Sequence, residues 1–211
     1  FANAKVLKAV DTLVGEICDV FRTTPYFHIG GDEADFALVH QHADFQAAFK
    51  KHGLGAKGQW QLYRHFLIQM NEIVRKRNKQ MIVWEGFHRD PKSKFQIPRN
   101  VVVMEYECPF YPPQHLIEDG YSIINAAWTP LYVVNRKRWT PEQIYAWDLQ
   151  LFGQHTLSYP KTRWHRVKPT KQIIGSQMCS WEQPESVEVS SLRRRLPAMS
   201  ERVWNPQANR P

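Results

Sequence analysis

The feature that most constrains this chain is a set of short apolar runs in which apolar and polar residues do not alternate. Segments with helical periodicity separate most of these runs. Strands that are apolar on both faces are typical of parallel sheets covered by helices. The sequence therefore predicts an α/β fold with five parallel strands, at residues 26–29, 81–84, 101–104, 121–125 and 172–175.

Helical spacing of apolar residues predicts the remaining elements. The first helix has Asn3 as its cap and ends at Thr23-Thr24-Pro25. Thr140-Pro141 is typical of another helix start, with Thr as the cap and Pro in the first helical position. Further helices are expected over residues 35–49, 59–74, 114–119, 141–151 and 192–203.

Five parallel strands suit either an open doubly wound sheet or part of a (β/α)8 TIM barrel. The open sheet that binds dinucleotides would have a G-x-G-x-x-G turn after a strand, and no strand here is followed by one. A barrel places polar and aromatic side chains after several different strands, at one end. The sequence has this pattern and favours the barrel: Asp32-Glu33, Trp84-Glu85, Glu105-Tyr106-Glu107, Trp128 with Tyr132, and Trp181-Glu182-Gln183.

Composition excludes several classes of protein. Hydrophobic residues make up 43% and charged residues 23% of the 211, so the chain is neither disordered nor fibrous. No apolar run approaches the roughly 20 residues of a membrane helix. The three Cys lie far apart, without a C-x-x-C pair, so neither a disulfide framework nor a zinc site is predicted. We expect no cofactor, and the absence of a signal-peptide pattern leaves the compartment open.

The net charge of +8 is concentrated in one segment. Eight Lys and Arg lie between Arg136 and Lys171, against only two acids, which places six of the eight excess charges there. Nucleic-acid-binding proteins usually carry basic residues on the element that holds their motif. The other motifs lie elsewhere, so a solvated basic loop is favoured. A basic nucleic-acid-associated α/β domain remains an alternative, for which strongly salt-dependent binding to DNA would be evidence.

Two adjacent carboxylates follow the first strand. Gly30-Gly31 lets the backbone turn sharply and approach a ligand, and Asp32-Glu33 comes next. Neighbouring carboxylates repel each other, which favours protonation of one of them, and a protonated carboxyl is what a general acid needs. The same residues are equally compatible with a helix start, capped by Asp32 or Asp35.

Aromatic side chains occur at the ends of several predicted strands. A large ring with a polar edge suits a sugar, which has apolar C–H faces and hydroxyl edges. Taken singly, each ring is more typical of core packing. Five at the same relative position favour a sugar pocket: Trp84, Tyr106, Trp128, Tyr132 and Trp181.

The segment from His28 to Ala34 resembles the His-x-Gly-Gly-Asp-Glu signature of family 20 glycoside hydrolases, the β-N-acetylhexosaminidases. Weaker matches follow in the same order along the chain, and together the matches run from residue 28 to residue 204. They are Val83-Trp84-Glu85, Leu131-Tyr132, Met178-Cys179-Ser180-Trp181 and the tail over residues 196–204.

This resemblance implies a (β/α)8 barrel that removes terminal β-linked N-acetylglucosamine or N-acetylgalactosamine with retention of configuration. The partner it implies is a glycan or glycoconjugate. The substrate's own acetamido oxygen attacks the anomeric carbon and gives an oxazolinium intermediate, so no protein nucleophile is required. Glu33 matches the general acid and base. Asp32 matches the residue that orients the acetamido N–H and stabilises its positive charge.

The resemblance also assigns binding roles. Trp84, Tyr106 and Trp181 would wall the acetamido pocket and the sugar face, and Tyr132 would donate a hydrogen bond to the acetamido oxygen. His28 lies within the motif and is equally compatible with a structural hydrogen bond.

The sequence departs from the family pattern at two acidic positions. Val133-Val134 follows Tyr132, where the family often has Tyr-x-Asp, and Gln183 stands where the family often has the Glu of Trp-x-Glu. Those acids usually hold sugar hydroxyls, so the choice between gluco and galacto substrates stays open. Gln183 can still hydrogen-bond a hydroxyl. The second interpretation is therefore that the protein is a non-catalytic, carbohydrate-binding relative of the family.

If the strand before Asp32 is the fourth of the barrel, the five strands are the fourth to the eighth. Residues 1–211 then resemble the C-terminal five-eighths of a catalytic domain. We expect a missing N-terminal portion or a second chain to complete the barrel. Alone, the segment would leave open strand edges near Phe27 and Ile174 and would not be an active monomer.

Overall fold

The computed structural model describes residues 1–55, 58–134, 139–154 and 162–206. The chain divides into two compact units, Phe1–Val102 and Val103–Pro211. None of the described helices is both long enough and apolar enough to span a membrane.

In the first unit, the residues that the structure describes form two parallel strands and three α-helices. Its elements are α1 (Ala4–Val20), β1 (Tyr26–His28), a 3-10 turn (Val39–Gln41), α2 (Ala43–His52), α3 (Gln59–Arg75) and β2 (Gln80–Trp84). Strand β1 pairs with β2 in register, with Phe27 opposite Met81. Asn3 caps α1 as predicted, because its side chain accepts a hydrogen bond from the Lys5 N–H at 2.8 Å.

Helix α3 is the central packing element of this unit. Apolar residues recur along one of its faces, and Leu62, Leu67, Met70 and Val74 are buried. It packs against β2 and α1. This packing fixes β2, whose residues Met81 and Val83 have no exposed surface.

The described residues of the second unit form three parallel strands, a separate two-stranded ribbon and five helices. Its elements are β3 (Val102–Glu105), α4 (Pro113–Glu118), β4 (Ser122–Asn125), the one-turn helix α5 (Trp128–Leu131), α6 (Pro141–Ala146), β5 (Leu151–Gly153), β6 (Trp164–Arg166), β7 (Ile173–Ser176), α7 (Glu185–Arg193) and α8 (Arg195–Trp204). The parallel strands lie in the order β3, β4, β7. The ribbon pairs β5 with β6 in antiparallel fashion.

The ribbon is held against the end of β4 by Asn125. Its side-chain nitrogen donates to the Leu149 carbonyl at 2.9 Å, and its side-chain oxygen accepts from the Ala127 N–H at 3.1 Å. Asn125 is completely buried, so both hydrogen bonds compensate its removal from water. The chain after β4 therefore has a fixed path.

All five predicted strands are present within one or two residues of their expected ends. Three helix predictions need correction. Residues 35–42 are not α-helical, and α2 begins only at Ala43, because His42 is extended. The helix expected over 141–151 ends at Ala146 and is followed by β5, because Trp147 is extended. The last predicted helix is two helices, α7 and α8.

Candidate active site

The loop after β1 is shaped by glycines on both sides. Gly30 and Gly31 have φ of 74° and 91°, which side chains rarely adopt. A Cβ on Gly31 would lie 2.6 Å from Val83 Cγ2. A Cβ on Gly86, after β2, would lie 2.6 Å from the Gly31 oxygen and 3.0 Å from Asp32 Cα. Gly30 and Gly31 are favoured by their positive φ, Gly31 also by the nearby Val83 side chain, and Gly86 by the backbone contact between the two loops.

Tyr63 of α3 also holds this loop in place. Its hydroxyl donates a hydrogen bond to the Gly31 carbonyl, and its side chain is only 3% exposed. The ring packs edge-on against Phe36 and is stacked with Phe66. Burial, and secondly the negative charge of Asp32, raise the pKa of the Tyr63 hydroxyl, so it keeps its proton for this hydrogen bond.

The two carboxylates on this loop have different environments. Asp32 is partly buried, whereas Glu33 is exposed and has a φ of 47°, in the left-handed region. No helix occurs within residues 29–38, and the Asp35 side chain instead accepts from the Ala37 N–H in a local turn. The prediction that Asp32 or Asp35 caps a helix is therefore wrong. Glu33 is in a strained backbone conformation that a solvated helix start would not require.

His28 and Trp84 lie beside these carboxylates in the first unit. The His28 Nδ1 accepts a hydrogen bond from the Gly30 N–H at 2.9 Å, and its ring lies 5.2 Å from the Trp84 ring. Partial burial lowers the pKa of His28, with the Asp32 charge opposing. Nδ1 can accept only in the neutral imidazole, so both observations indicate neutral His28 near pH 7.

Three aromatic rings form a stack in the second unit. The rings of Tyr106 and Tyr132 are 6.5 Å apart and nearly parallel, and the Trp128 ring is 4.3 Å from Tyr132. Tyr106 and Tyr132 are 5% and 4% exposed. The backbone N–H of Trp128 donates to the backbone carbonyl of Tyr106 at 2.8 Å, so the backbone fixes the rings relative to each other.

The segment after β7 carries Trp181 and Gln183. Trp181 is 50% exposed, more than any other aromatic candidate, and so has surface on which a ligand can stack. The Gln183 side-chain nitrogen donates to the Trp181 carbonyl at 2.8 Å. The structure thus brings Tyr106, Tyr132, Trp181 and Gln183 into one unit, and His28, Asp32, Glu33 and Trp84 into the other.

Three buried residues near the predicted site residues were given no role by the sequence, although Glu105 and Cys179 lie within segments named there. Tyr63 fixes the carboxylate loop, Cys179 contacts Tyr132, and Glu105 is completely buried at the end of β3. The Glu105 carboxylate accepts from the Cys108 N–H at 2.6 Å and from the Cys108 thiol at 3.0 Å. Tyr63 lies within an ordinary amphipathic helix, so nothing in the sequence distinguished it. A buried acid in an apolar strand was a usable signal for Glu105.

The basic segment is described only in part. Arg136, Lys137, Arg138 and Lys161 lie outside the described residues. Arg166 is partly neutralised by an ion pair with Asp148 at 2.7 Å. Among the described residues, no group of three or more His, Cys, Asp or Glu is arranged to hold a metal ion.

The chain has clear relatives. The sequence model of the family "Glycosyl hydrolase family 20, catalytic domain" matches residues 1–207. β-Hexosaminidase subunit β of Mus musculus is 27% identical over 205 residues, which cover 93% of this chain and 34% of the mouse protein. The chain therefore spans about a third of the length of that relative.

Solved structures give the fold. The GH20 exo-β-N-acetylglucosaminidase from Vibrio harveyi, in complex with N-acetylglucosamine, superposes with a TM-score of 0.74 at 18% identity, covering 99% of this chain and 33% of its own. A β-N-acetylhexosaminidase from Bacteroides fragilis gives 0.73 at 18% identity, covering 96% and 40%. The prediction of a partial (β/α)8 barrel is confirmed. The chain belongs to glycosyl hydrolase family 20 and matches the catalytic domain of that family.

Proposed function

We propose that the protein is a retaining exo-β-N-acetylhexosaminidase that works by substrate assistance on N-acetylhexosamine glycans. The observation that carries the proposal is the pair Asp32 and Glu33. They are consecutive on a loop that Gly31, Gly86 and Tyr63 hold in place, yet Asp32 is partly buried and Glu33 is exposed. Different environments for adjacent carboxylates favour two different chemical roles.

The chemistry divides between the substrate and Glu33. The acetamido oxygen forms a bond to the anomeric carbon while the glycosidic C–O bond breaks, and Glu33 gives its proton to the leaving oxygen. The product of this step is an oxazolinium ion. Water then attacks the anomeric carbon while the bond from that carbon to the acetamido oxygen breaks, and Glu33 takes up a proton from the water, which restores the acid and leaves the β-configured sugar.

Asp32 acts on the acetamido nitrogen. Its carboxylate accepts the N–H hydrogen bond and places a negative charge beside the nitrogen as positive charge develops there. Its partial burial supports this role, because a charge acts more strongly where water is excluded. Tyr63 and neutral His28 hold Gly31 and Gly30, the two residues that precede Asp32.

The aromatic residues bind the sugar. Trp84, Tyr106 and Trp181 contact the acetamido methyl group and the sugar face, and the Tyr132 hydroxyl donates to the acetamido oxygen. Holding that oxygen against the anomeric carbon converts the attack into an intramolecular step with a favourable effective concentration. The rigid stack of Tyr106, Trp128 and Tyr132 supports such positioning.

A second candidate function is sugar binding without catalysis. It is favoured by Gln183, whose nitrogen donates to the Trp181 carbonyl at 2.8 Å, and by Val134, which stands where the family often has an acid. Both positions lack the charge that would strengthen a hydrogen bond to a sugar hydroxyl. Weaker contacts of this kind affect the choice between gluco and galacto sugars before they affect the chemistry at the anomeric carbon.

We propose further that the five parallel strands are the fourth to the eighth of the barrel, as the resemblance of the first motif implies. Among the described residues, β1 pairs only with β2, and β7 only with β4, which agrees with the outer positions this assignment gives them. Residues 1–211 are then the C-terminal five-eighths of the catalytic domain.

The proposal is tested on the whole protein that carries this chain, with chromogenic β-N-acetylglucosaminide and β-N-acetylgalactosaminide. We expect turnover of at least one of them, and calorimetry with N-acetylglucosamine is run in parallel. Binding without turnover of either substrate supports the non-catalytic candidate. Neither binding nor turnover contradicts both.

A further inference from the structure

Glu105 is a buried acidic residue to which the proposed mechanism gives no task. It ends β3, after the buried apolar residues Val103 and Met104, and it has no exposed surface. Burial of a carboxyl group is unfavourable unless hydrogen bonds compensate it. Both oxygens have such a bond, and with the same residue: Oε1 accepts from the Cys108 N–H at 2.6 Å, and Oε2 accepts from the Cys108 thiol at 3.0 Å.

These two bonds close a turn over residues 105–108. Cys108 has a φ of 72°, in the left-handed region that residues with a side chain rarely adopt. It is completely buried, so its N–H needs a partner within the protein, and the Glu105 side chain supplies one. The Glu105 side chain therefore stabilises this conformation of the turn.

Tyr106 lies inside the turn, and its backbone is fixed from both directions. The Ala126 N–H donates to the Glu105 carbonyl at 2.9 Å, and the Trp128 N–H donates to the Tyr106 carbonyl at 2.8 Å. These bonds join the first half of the turn to the segment after β4. The bonds between Glu105 and Cys108 hold its second half. The Tyr106 ring, only 5% exposed, is thus carried on a fixed backbone.

We propose that Glu105 is a positioning residue for the acetamido pocket: through Cys108 it holds the turn that sets the Tyr106 ring against the acetamido methyl group. This inference rests on the proposed function, which gives Tyr106 that contact. Glu105 itself touches no substrate, since both of its oxygens are bonded to Cys108 and it has no exposed surface.

The position of the Tyr106 ring limits the length of the acyl group that the pocket accepts. A ring held against an acetyl group leaves no room for the additional methylene of a propionyl group, and one methylene in an apolar pocket is worth about 10- to 200-fold in specificity. If the turn relaxes, the ring can move away, so the propionyl substrate gains room while the acetyl substrate loses its contact. The ratio of kcat/KM between the two substrates therefore reports the position of the ring.

The test uses the whole protein that carries this chain. Glu105→Met keeps the approximate volume and removes both oxygen acceptors, whereas Glu105→Gln keeps one oxygen that can accept from the Cys108 N–H. The matched control is Asp148→Leu, which removes another buried acid of the same unit, one that accepts from the Gln150 N–H at 3.0 Å. Readouts are kcat and KM on nitrophenyl β-glycosides of N-acetyl- and N-propionylglucosamine, and thermal melting.

We expect Glu105→Met to lower kcat/KM for the acetyl substrate by about 10- to 100-fold, and the acetyl-to-propionyl ratio by about 10-fold. Glu105→Gln should keep most of the wild-type ratio. Asp148→Leu should melt at a lower temperature and keep the whole ratio. A wild-type ratio in Glu105→Met overturns the proposal, and so does an equally large fall of the ratio in Glu105→Gln or in Asp148→Leu.

A double-mutant cycle separates positioning of the ring from general destabilisation. If Glu105 acts through the Tyr106 ring, Glu105→Met should change the ratio little once Tyr106→Ala has removed that ring. Equal falls of the ratio in the wild-type and Tyr106→Ala backgrounds overturn the proposal. If Glu105→Met does not fold, Cys108→Ala decides, because it removes the thiol contact with Oε2. We expect a smaller fall of the same ratio in that variant, and an unchanged ratio contradicts the proposal.

Failure of the proposed function gives a different result. If the wild-type protein binds N-acetylglucosamine but hydrolyses nothing, the enzymatic proposal fails, and the ratio of the Kd values of N-acetyl- and N-propionylglucosamine replaces the ratio of rates, with the same expected and contradicting outcomes. If wild type hydrolyses both substrates equally well, the proposed function stands and the inference about Glu105 is overturned. The absence of both binding and turnover in wild type overturns both.

Discussion

The two units hold their proposed site residues in different ways. In the first, backbone contacts fix Asp32 and Glu33: glycines allow close approach of two loops, and Tyr63 bonds to a carbonyl. In the second, the rings of Tyr106, Trp128 and Tyr132 pack against one another, and a backbone hydrogen bond from Trp128 to Tyr106 joins them. Proton transfer needs a fixed position, and a sugar needs a complementary surface. The two kinds of support match these two tasks.

This contrast has a consequence for mutation. A change in the carboxylate loop should cause a large loss, either of kcat or of the free energy of unfolding. A change among the aromatic residues should be graded, since neighbouring rings can repack partly around the loss.

The largest effect is expected for Glu33→Gln in the whole protein. Removal of the acid should lower turnover of substrates with poor leaving groups by about 10²- to 10⁴-fold, the usual contribution of general acid catalysis. Activated aryl leaving groups need less protonation and should lose much less. Kinetics on a glycan and on a nitrophenyl glycoside measure the difference. Equal losses on both substrates would exclude Glu33 as the acid.

Asp32→Asn should lower kcat because the developing charge on the acetamido nitrogen loses its counter-charge. Thermal melting should change little, because Asp32 caps no helix in the structure. Parallel melting and kinetics check both statements. Unchanged kinetics with a stability loss of about 1 kcal/mol, the value of a helix cap, would restore the structural interpretation of this residue.

Gly31→Ala tests whether the backbone fixes the carboxylate loop. Its Cβ would meet Val83 Cγ2 at 2.6 Å, so the loop must move, and we expect lower kcat together with a lower free energy of unfolding, by about 1–3 kcal/mol. Gly120→Ala is the matched control, with a similar φ of 87° and no atom within 4 Å of the added Cβ. It should lose some stability and no activity. Equal activities in the two variants would refute backbone fixation.

The smallest effect is expected from His28 and pH. The folded pKa of His28 is lowered, so the unfolded chain binds the proton more readily, and stability that is fully present above the unfolded pKa of about 6.5 is lost as pH falls from there through the lower folded pKa. Protonation also breaks the bond from the Gly30 N–H, worth about 1 kcal/mol. The difference in unfolding free energy between wild type and His28→Gln should shrink from pH 8 to pH 5. A constant difference would contradict this linkage.

The sequence located the strands because each is a continuous apolar run with a clear end. It failed at the β5–β6 ribbon, where the expected helix ran on to Leu151. Pairing of Phe152 with His165 depends on a contact between distant residues, and neither short segment alternates in polarity in a way that predicts it. It also failed at residues 35–42, where spacing suited a helix but His42 is extended.

The candidate site was predictable where a motif is contiguous, as at Asp32-Glu33. It was not predictable where supporting residues come from elsewhere in the chain. Tyr63 reaches Gly31 across 32 residues, and Cys179 reaches Tyr132 across a bridge that exists only after folding. Tyr63 has no local pattern that separates it from an ordinary buried residue, and Cys179 lies in a matched segment that assigns its thiol no role.

The central claim is that the substrate's acetamido group supplies the nucleophile. The most direct measurement compares hydrolysis, by the whole protein, of a nitrophenyl β-N-acetylglucosaminide and the β-glucoside with a hydroxyl in place of the acetamido group, with the anomer of the first product followed by NMR. The account predicts hydrolysis of the first with initial release of the β-anomer, and no turnover of the second. Comparable hydrolysis of both, or initial release of the α-anomer, would contradict it.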